Sequence, residues 1–161
     1  CGSPSPPESQ AAQTRLPELR SHQEGCPLSG LSSAENAVCL NFERNTNYRR
    51  LDREELLRSL PLREKDPPYV GGDWRDKTWF KCDGTYKTIG PQGDSGTYEF
   101  TDVGYCTYTD ARRKKVCHIR YQSKGGDIVE VSGYGEVGSS PHRLVEVESG
   151  PHLDSCKTKW R

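Results

Sequence analysis

The sequence predicts a mainly β fold: a small antiparallel barrel or sandwich stapled by disulfides, preceded by a short helical and disordered N-terminal region. Three observations predict this class. Hydrophobic residues make up only 31% of the 161 residues, so the core alone would stabilise the chain weakly. Seven cysteines offer covalent support. The second half of the chain is a succession of short β-branched and aromatic segments separated by turn residues.

The N-terminal tail is predicted to be disordered. Residues 1–25 are rich in proline, serine, glutamine and charged residues, and they show no periodic apolar face. Such a segment cannot bury enough apolar surface to offset its conformational entropy. We interpret Cys1 as the first residue left after a leader peptide has been removed.

Two short helices are predicted within residues 26–68. In the first, at 32–40, a serine is followed three positions later by a glutamate, which is the spacing of a capping box. In the second, at 53–60, Asp52 is the expected N-cap and Pro61 ends the helix.

The β domain is predicted at residues 69–161, which contain all three tryptophans. Apolar and polar residues alternate in several segments, so that Cys117, Ile119 and Tyr121 should share one strand face. Because the connections are short, each strand should pair with the next in an antiparallel meander. The predicted strands are 78–82, 85–89, 97–102, 104–109, 116–122, 127–134 and 143–148.

The cysteines predict three disulfides and one odd residue. Cys1 is the natural odd one, because it lies on the tail, and Cys156 should tie the C-terminus back to the sheet. The pairing itself cannot be deduced from the sequence. The six residues expected to pair are Cys26, Cys39, Cys82, Cys106, Cys117 and Cys156.

Two further hypotheses concern processing. Cys1 followed by Gly, Ser and Pro resembles the start of a processed bacterial lipoprotein, which would make Cys1 a lipid anchor. Arg49-Arg50 is a dibasic pair in the loop between the two predicted helices. Cleavage there would make the residues up to 50 a pro-segment, and the alternative is that both arginines are merely solvated.

Charge and hydropathy exclude some partners. Lys plus Arg and Asp plus Glu both number 23, so no overall field attracts nucleic acid. The sequence has no apolar run of about 18 residues, so no transmembrane segment is expected. The density of cysteines is typical of an oxidising compartment, and we therefore expect a secreted, extracellular protein.

The sequence GDSG at 93–96 resembles the nucleophile loop of trypsin-like serine proteases, and the resemblance would make Ser95 the catalytic serine. In that family the catalytic histidine precedes the serine, whereas the only histidine before Ser95 is His22 in the tail. We therefore predict that residues 90–96 are a loop between two strands.

Other patterns for catalysis or metal binding are weaker. His118 and His142, with Glu146 and Arg120, could support general acid–base catalysis in a small secreted hydrolase or ribonuclease. We expect His118 to face away from the strand face that carries Cys117. The cysteines and histidines lack the paired short spacings of structural zinc sites, so we expect neither a metal nor a cofactor.

Four adjacent cations, Arg112, Arg113, Lys114 and Lys115, are predicted at a hairpin tip. On a chain without net charge they could bind an acidic glycan or an acidic protein surface. We therefore expect non-catalytic binding of an extracellular or host macromolecule, in the manner of a secreted effector, toxin or ligand. The alternatives are the hydrolase described above and a structural component of an extracellular matrix, linked through its odd cysteine.

Overall fold

The structure is a computed structural model that describes residues 25–26, 33–65, 77–89, 94–110, 113–132 and 142–156. Most of the predicted tail and the boundary predicted between residues 68 and 69 lie outside these ranges. The helices are α1 (Ser33–Arg44), α2 (Arg53–Ser59) and a 3₁₀-helix (Leu153–Ser155). The strands are β1 (Tyr48–Arg50), β2 (Lys77–Phe80), β3 (Thr85–Ile89), β4 (Asp94–Phe100), β5 (Tyr105–Thr109), β6 (Lys114–Ser123), β7 (Ile128–Ser132) and β8 (His142–Val145).

The strands form one antiparallel sheet. β2 to β8 lie in chain order across it, and β1 pairs with β6. β6 is long enough to have two neighbours along one edge: its first half pairs with β5 as far as His118, and its second half pairs with β1 from Tyr121 onward. The predicted mainly β, antiparallel fold class is confirmed, and the sheet curls into a half-barrel.

The concave face of the sheet holds the main core. Two strands separate β2 from β5, yet the rings of Phe80 and Tyr105 are only 5.7 Å apart, which shows how strongly the sheet curls. Each fully buried large apolar side chain stabilises the fold by about 1.5–3 kcal/mol. The buried members of this core are Leu51, Leu56, Leu57, Leu60, Phe80, Tyr86, Tyr98, Tyr105, Leu153 and Cys156.

Helix α2 closes over this core with the predicted local signals. The side chain of Asp52 accepts a hydrogen bond from the backbone N of Glu55 at 2.9 Å. The Glu55 carboxylate accepts one in return from the backbone N of Asp52 at 2.8 Å. This reciprocal capping box satisfies two donors that the first turn cannot satisfy, and the leucines of α2 then face the sheet.

Helix α1 covers part of the convex face. It runs four residues beyond the predicted end, and its Phe42 ring stacks on Tyr121 with 5.3 Å between the centroids. Ile119 and Val131 complete this second buried cluster with Cys39. Both faces of β6 are buried along its middle, from Val116 to Tyr121.

The last residue of β2 pairs with the backbone after α2, which pairs in turn with the C-terminal segment. Phe80 N donates to Pro61 O at 3.0 Å, and Leu62 N donates to Pro151 O at 2.9 Å. Leu153 N then donates to Leu60 O at 3.0 Å. The first bond gives Phe80 a backbone partner, and the other two bring the C-terminal segment against the end of α2.

The three predicted disulfides are present, and their pairing is now defined. Cys26 bonds to Cys39, which attaches the segment before α1 to that helix. Cys82 bonds to Cys156, so the prediction that Cys156 ties the C-terminus to the sheet is confirmed. Cys106 of β5 bonds to Cys117 directly opposite on β6. Cys1 lies outside the described residues.

The dibasic pair Arg49-Arg50 was predicted to lie in a loop. It instead forms the last two residues of β1. Arg49 Nη1 lies 2.7 Å from Glu55 Oε2. Arg50 is 7% exposed, and its Nη1 lies 3.0 Å from Glu43 Oε1. A buried guanidinium needs such a partner because isolated charges are costly to bury.

The stretch predicted as a loop at 90–96 is partly strand. β4 begins at Asp94, three residues earlier than predicted, and Ser95 is exposed within it. Gly96 is needed for packing and not for a turn: a Cβ there would come within 1.9 Å of the backbone O of Tyr108 on the next strand. Residues 90–93 lie outside the described residues.

Candidate binding surface

The predicted basic tip connects β5 to β6. Arg113 has a positive φ of 48° and its N donates to Thr109 O at 2.8 Å, so the chain reverses tightly there. Lys114 and Lys115 form the first two positions of β6, and all three side chains are exposed. Arg112 lies outside the described residues. The described part of the cluster is therefore an exposed cationic tip.

Tyr108 lies beside this tip on the convex face and is 42% exposed. The register places it opposite Thr97 of β4 and, on its other side, opposite Lys115 of β6. Neighbouring strands are about 4.8 Å apart, so the three side chains form a row across the sheet. An aromatic ring, a hydroxyl and an ammonium group are thus displayed together.

Glu99 adds a carboxylate to the same surface. Its Oε1 lies 2.7 Å from Lys115 Nζ, and both side chains are about half exposed, at 63% and 49%. Exposed ion pairs of this kind stabilise a protein by at most about 1 kcal/mol. Either partner can therefore exchange this contact for a ligand at little cost.

A shallow depression of about 280 Å³ lies among these side chains. Its lining includes Cys106, whose disulfide to Cys117 fixes β5 against β6. We call the surface formed by the depression and the cationic tip the hairpin patch. Its exposed members are Thr97, Glu99, Tyr108, Arg113 and Lys115. Lys114 is exposed at the same tip, but it alternates with Lys115 along β6 and therefore faces the other side of the sheet.

The sequence predicted the cations of the hairpin patch, but it did not predict which side chains lie beside them. Thr97 and Glu99 alternate with Tyr98 and Phe100, and this pattern indicates that they face away from the main core. It does not say which residues of β5 and β6 stand beside them. The register between strands supplies that information, and only the structure gives it.

A second cluster of charged groups is buried on the concave face. The carboxylate of Glu130, 1% exposed, accepts hydrogen bonds from Arg120 Nε and from Tyr105 Oη, both at 2.7 Å. Its other oxygen lies 3.1 Å from Arg143 Nη2 and 3.6 Å from His118 Nδ1. Arg120 also donates to the backbone O of a serine in α2, so the cluster joins the sheet to the helix.

The surroundings shift the titration of these groups in opposite directions. Burial lowers the pKa of His118 to about 4, despite the nearby Glu130 carboxylate. Burial alone would raise the pKa of Glu130, but Arg120 and the other neighbouring cations hold that pKa well below its usual value. At neutral pH the cluster therefore contains an ionised glutamate and a neutral histidine.

The four residues of the hydrolase hypothesis do not converge. His118 faces away from Cys117, as predicted, but that side is the buried concave face, where its ring stacks on Tyr105. His142 lies on the opposite face, with its ring 5.3 Å from that of Phe42. Glu146 is exposed beyond the end of β8. Only His118 and Arg120 are brought close, through Glu130, and both are buried.

One grouping of potential metal-ligating atoms occurs in the described part of the chain. It consists of Glu64, Cys82 and Cys156. The two sulfurs are bonded to each other, so neither is a thiolate that could bind a metal. This grouping is a disulfide beside a carboxylate.

No family model, curated protein or solved structure matches this chain. Among the residues described, no helix has the length and apolar character needed to cross a membrane. The function therefore has to be inferred from the surface chemistry of the chain itself.

Proposed function

We propose that the protein is not an enzyme and that it acts outside the cell by binding an acidic macromolecule through the hairpin patch. One observation carries the proposal: Lys115 and the tip residue Arg113 are exposed beside the half-exposed ring of Tyr108. Cations attract an acidic partner from a distance, and an amphipathic ring supplies contact area once it arrives.

The covalent structure supports an extracellular site of action. Three disulfides would not persist in a reducing cytosol, whereas they are usual in secreted proteins. The Cys106–Cys117 bond also supports a binding role, because it holds the hairpin patch in one geometry before a partner binds. Less ordering is then required on binding.

The proposal is tested with a variant in which Arg112, Arg113, Lys114 and Lys115 are all replaced by serine. The purified protein is passed over immobilised heparin and over an immobilised acidic polypeptide in a salt gradient. The variant should elute from its ligand at lower salt than the wild type, because exposed charges act through screened Coulomb attraction.

A second variant controls for the overall change in charge. It replaces four exposed cations away from the hairpin patch with serine, namely Arg44, Arg58, Lys65 and Lys124. The proposal requires a clearly smaller shift in this control. Equal shifts in the two variants, or no retention of the wild type on either column at low salt, would show that the hairpin patch is not a binding site.

A further inference from the structure

We propose that the acidic partner is a sulfated oligosaccharide rather than an acidic protein, with a sugar ring lying against Tyr108 and sulfates paired with the cations of the tip. This inference rests on the proposed function and specifies its ligand. It is drawn from the mixture of groups in the hairpin patch, which a purely cationic site would lack.

Glu99 is the first discriminating group. Its carboxylate lies within the hairpin patch, 2.7 Å from the ammonium of Lys115, and Asp110 is exposed at the end of β5. Anions of either ligand would be repelled by these two carboxylates, so groups other than anions have to face them, and an acidic surface made of carboxylates offers few such groups. A sugar carries hydroxyl groups, which donate hydrogen bonds to a carboxylate.

The shape of the hairpin patch is the second feature that favours a sugar. A depression of about 280 Å³ beside Tyr108 is small for a ligand pocket, which typically measures about 300–1,000 Å³. It suits one unit of a chain rather than a large apolar anchor. Thr97, exposed on the other side of Tyr108, offers a hydroxyl that can both donate and accept.

The arrangement of the cations is the third feature that favours a sulfated sugar. Lys115 lies in the row with Tyr108, while Arg113 lies beyond it at the tip. A ligand seated on the ring would therefore extend its anionic groups toward the tip. Arg113 can contact a sulfate through two parallel N–H groups, and Lys115 can act as a point charge.

The test compares two anionic probes of equal charge: a size-defined heparin oligosaccharide that retains free hydroxyl groups, and a poly-L-glutamate peptide. Binding is measured by isothermal titration calorimetry for the wild type, Tyr108→Ala and Tyr108→Phe. The oligosaccharide should bind the wild type more tightly than the peptide. Tyr108→Ala should weaken oligosaccharide binding about fivefold, as expected for a lost aromatic contact, and Tyr108→Phe should retain most of it.

The outcomes separate this inference from the proposed function. Tighter binding of poly-L-glutamate, or an unchanged oligosaccharide affinity in Tyr108→Ala, overturns the sulfated ligand; the binding function survives if the four-serine variant loses affinity for the peptide. Failure of both probes to bind the wild type at low salt overturns both proposals. Because Tyr108 is exposed, its variants should fold, and circular dichroism confirms that they have done so.

Discussion

Replacing His118 with glutamine should remove a specific acid sensitivity from the fold. The imidazole is 6% exposed, stacks on Tyr105 at 4.6 Å between centroids, and has its Nε2 3.2 Å from Thr107 Oγ1. Burial lowers its pKa to about 4 from an ordinary value of 6.5. Glutamine keeps a polar side chain in this position but cannot take up a proton.

The sign of the effect follows from proton binding. As the pH falls below about 6.5, His118 is protonated in the unfolded chain but stays neutral in the folded protein, so proton binding lowers the free energy of the unfolded state. Stability present above that pH is therefore lost on the way down to the folded pKa. Each pKa unit is worth about 1.4 kcal/mol, so the wild type should lose about 2 kcal/mol at this site between about pH 7 and pH 5.

Urea unfolding, followed by tryptophan fluorescence without reductant, measures this loss. Across this pH range Glu130 remains ionised in the folded protein, since the neighbouring cations lower its pKa. His118→Gln should show a pH-dependent loss that is about 2 kcal/mol smaller than in the wild type. His142→Gln is the matched control, because His142 is exposed. Equal losses in the wild type and His118→Gln would refute the reasoning.

Three further changes test the packing, the cross-links and the helix cap. Gly96→Ala would place a Cβ within 1.9 Å of Tyr108 O; the strands must separate, and thermal unfolding should show a loss of about 2 kcal/mol or more, whereas an unchanged midpoint would contradict this close approach. Replacing both Cys82 and Cys156 with serine opens a bridge spanning 74 residues and should cost about 4 kcal/mol in urea unfolding, against about 3 kcal/mol for either shorter bridge. Asp52→Ala should cost about 1 kcal/mol in the same assay, and no loss would show that the capping box contributes nothing.

Local patterns in the sequence were sufficient for most of the elements. Short segments with alternating apolar residues became strands close to their predicted positions, and Asp52 and Pro61 bound the second helix. These signals concern neighbours along the chain. The disulfide pairs, the strand register and the burial of His118 concern neighbours in space, which alternation alone does not define.

The strand β1 illustrates this limit. The residues Tyr48–Arg50 contain two arginines and no alternation, so nothing local indicates a strand. They become one because β5 starts at Tyr105, opposite His118, and does not extend further along β6, which leaves that edge of β6 from Tyr121 onward available for pairing. The buried Arg50 is then matched by Glu43 of α1. Tertiary contacts here override the local preference.

The two charged clusters lie on opposite sides of the same strand, and this separates binding from folding. On β6, Lys115 faces the convex side, whereas His118 and Arg120 face the concave side and are buried with Glu130. Removing the Arg120 side chain would take away the cation closest to the Glu130 carboxylate. A buried charge without its partner strongly destabilises the fold. Removing Lys115 would disturb only an exposed pair. Substitutions in the hairpin patch should therefore alter affinity while the free energy of unfolding stays nearly constant. For that reason a loss of binding there can be assigned to contact with the partner.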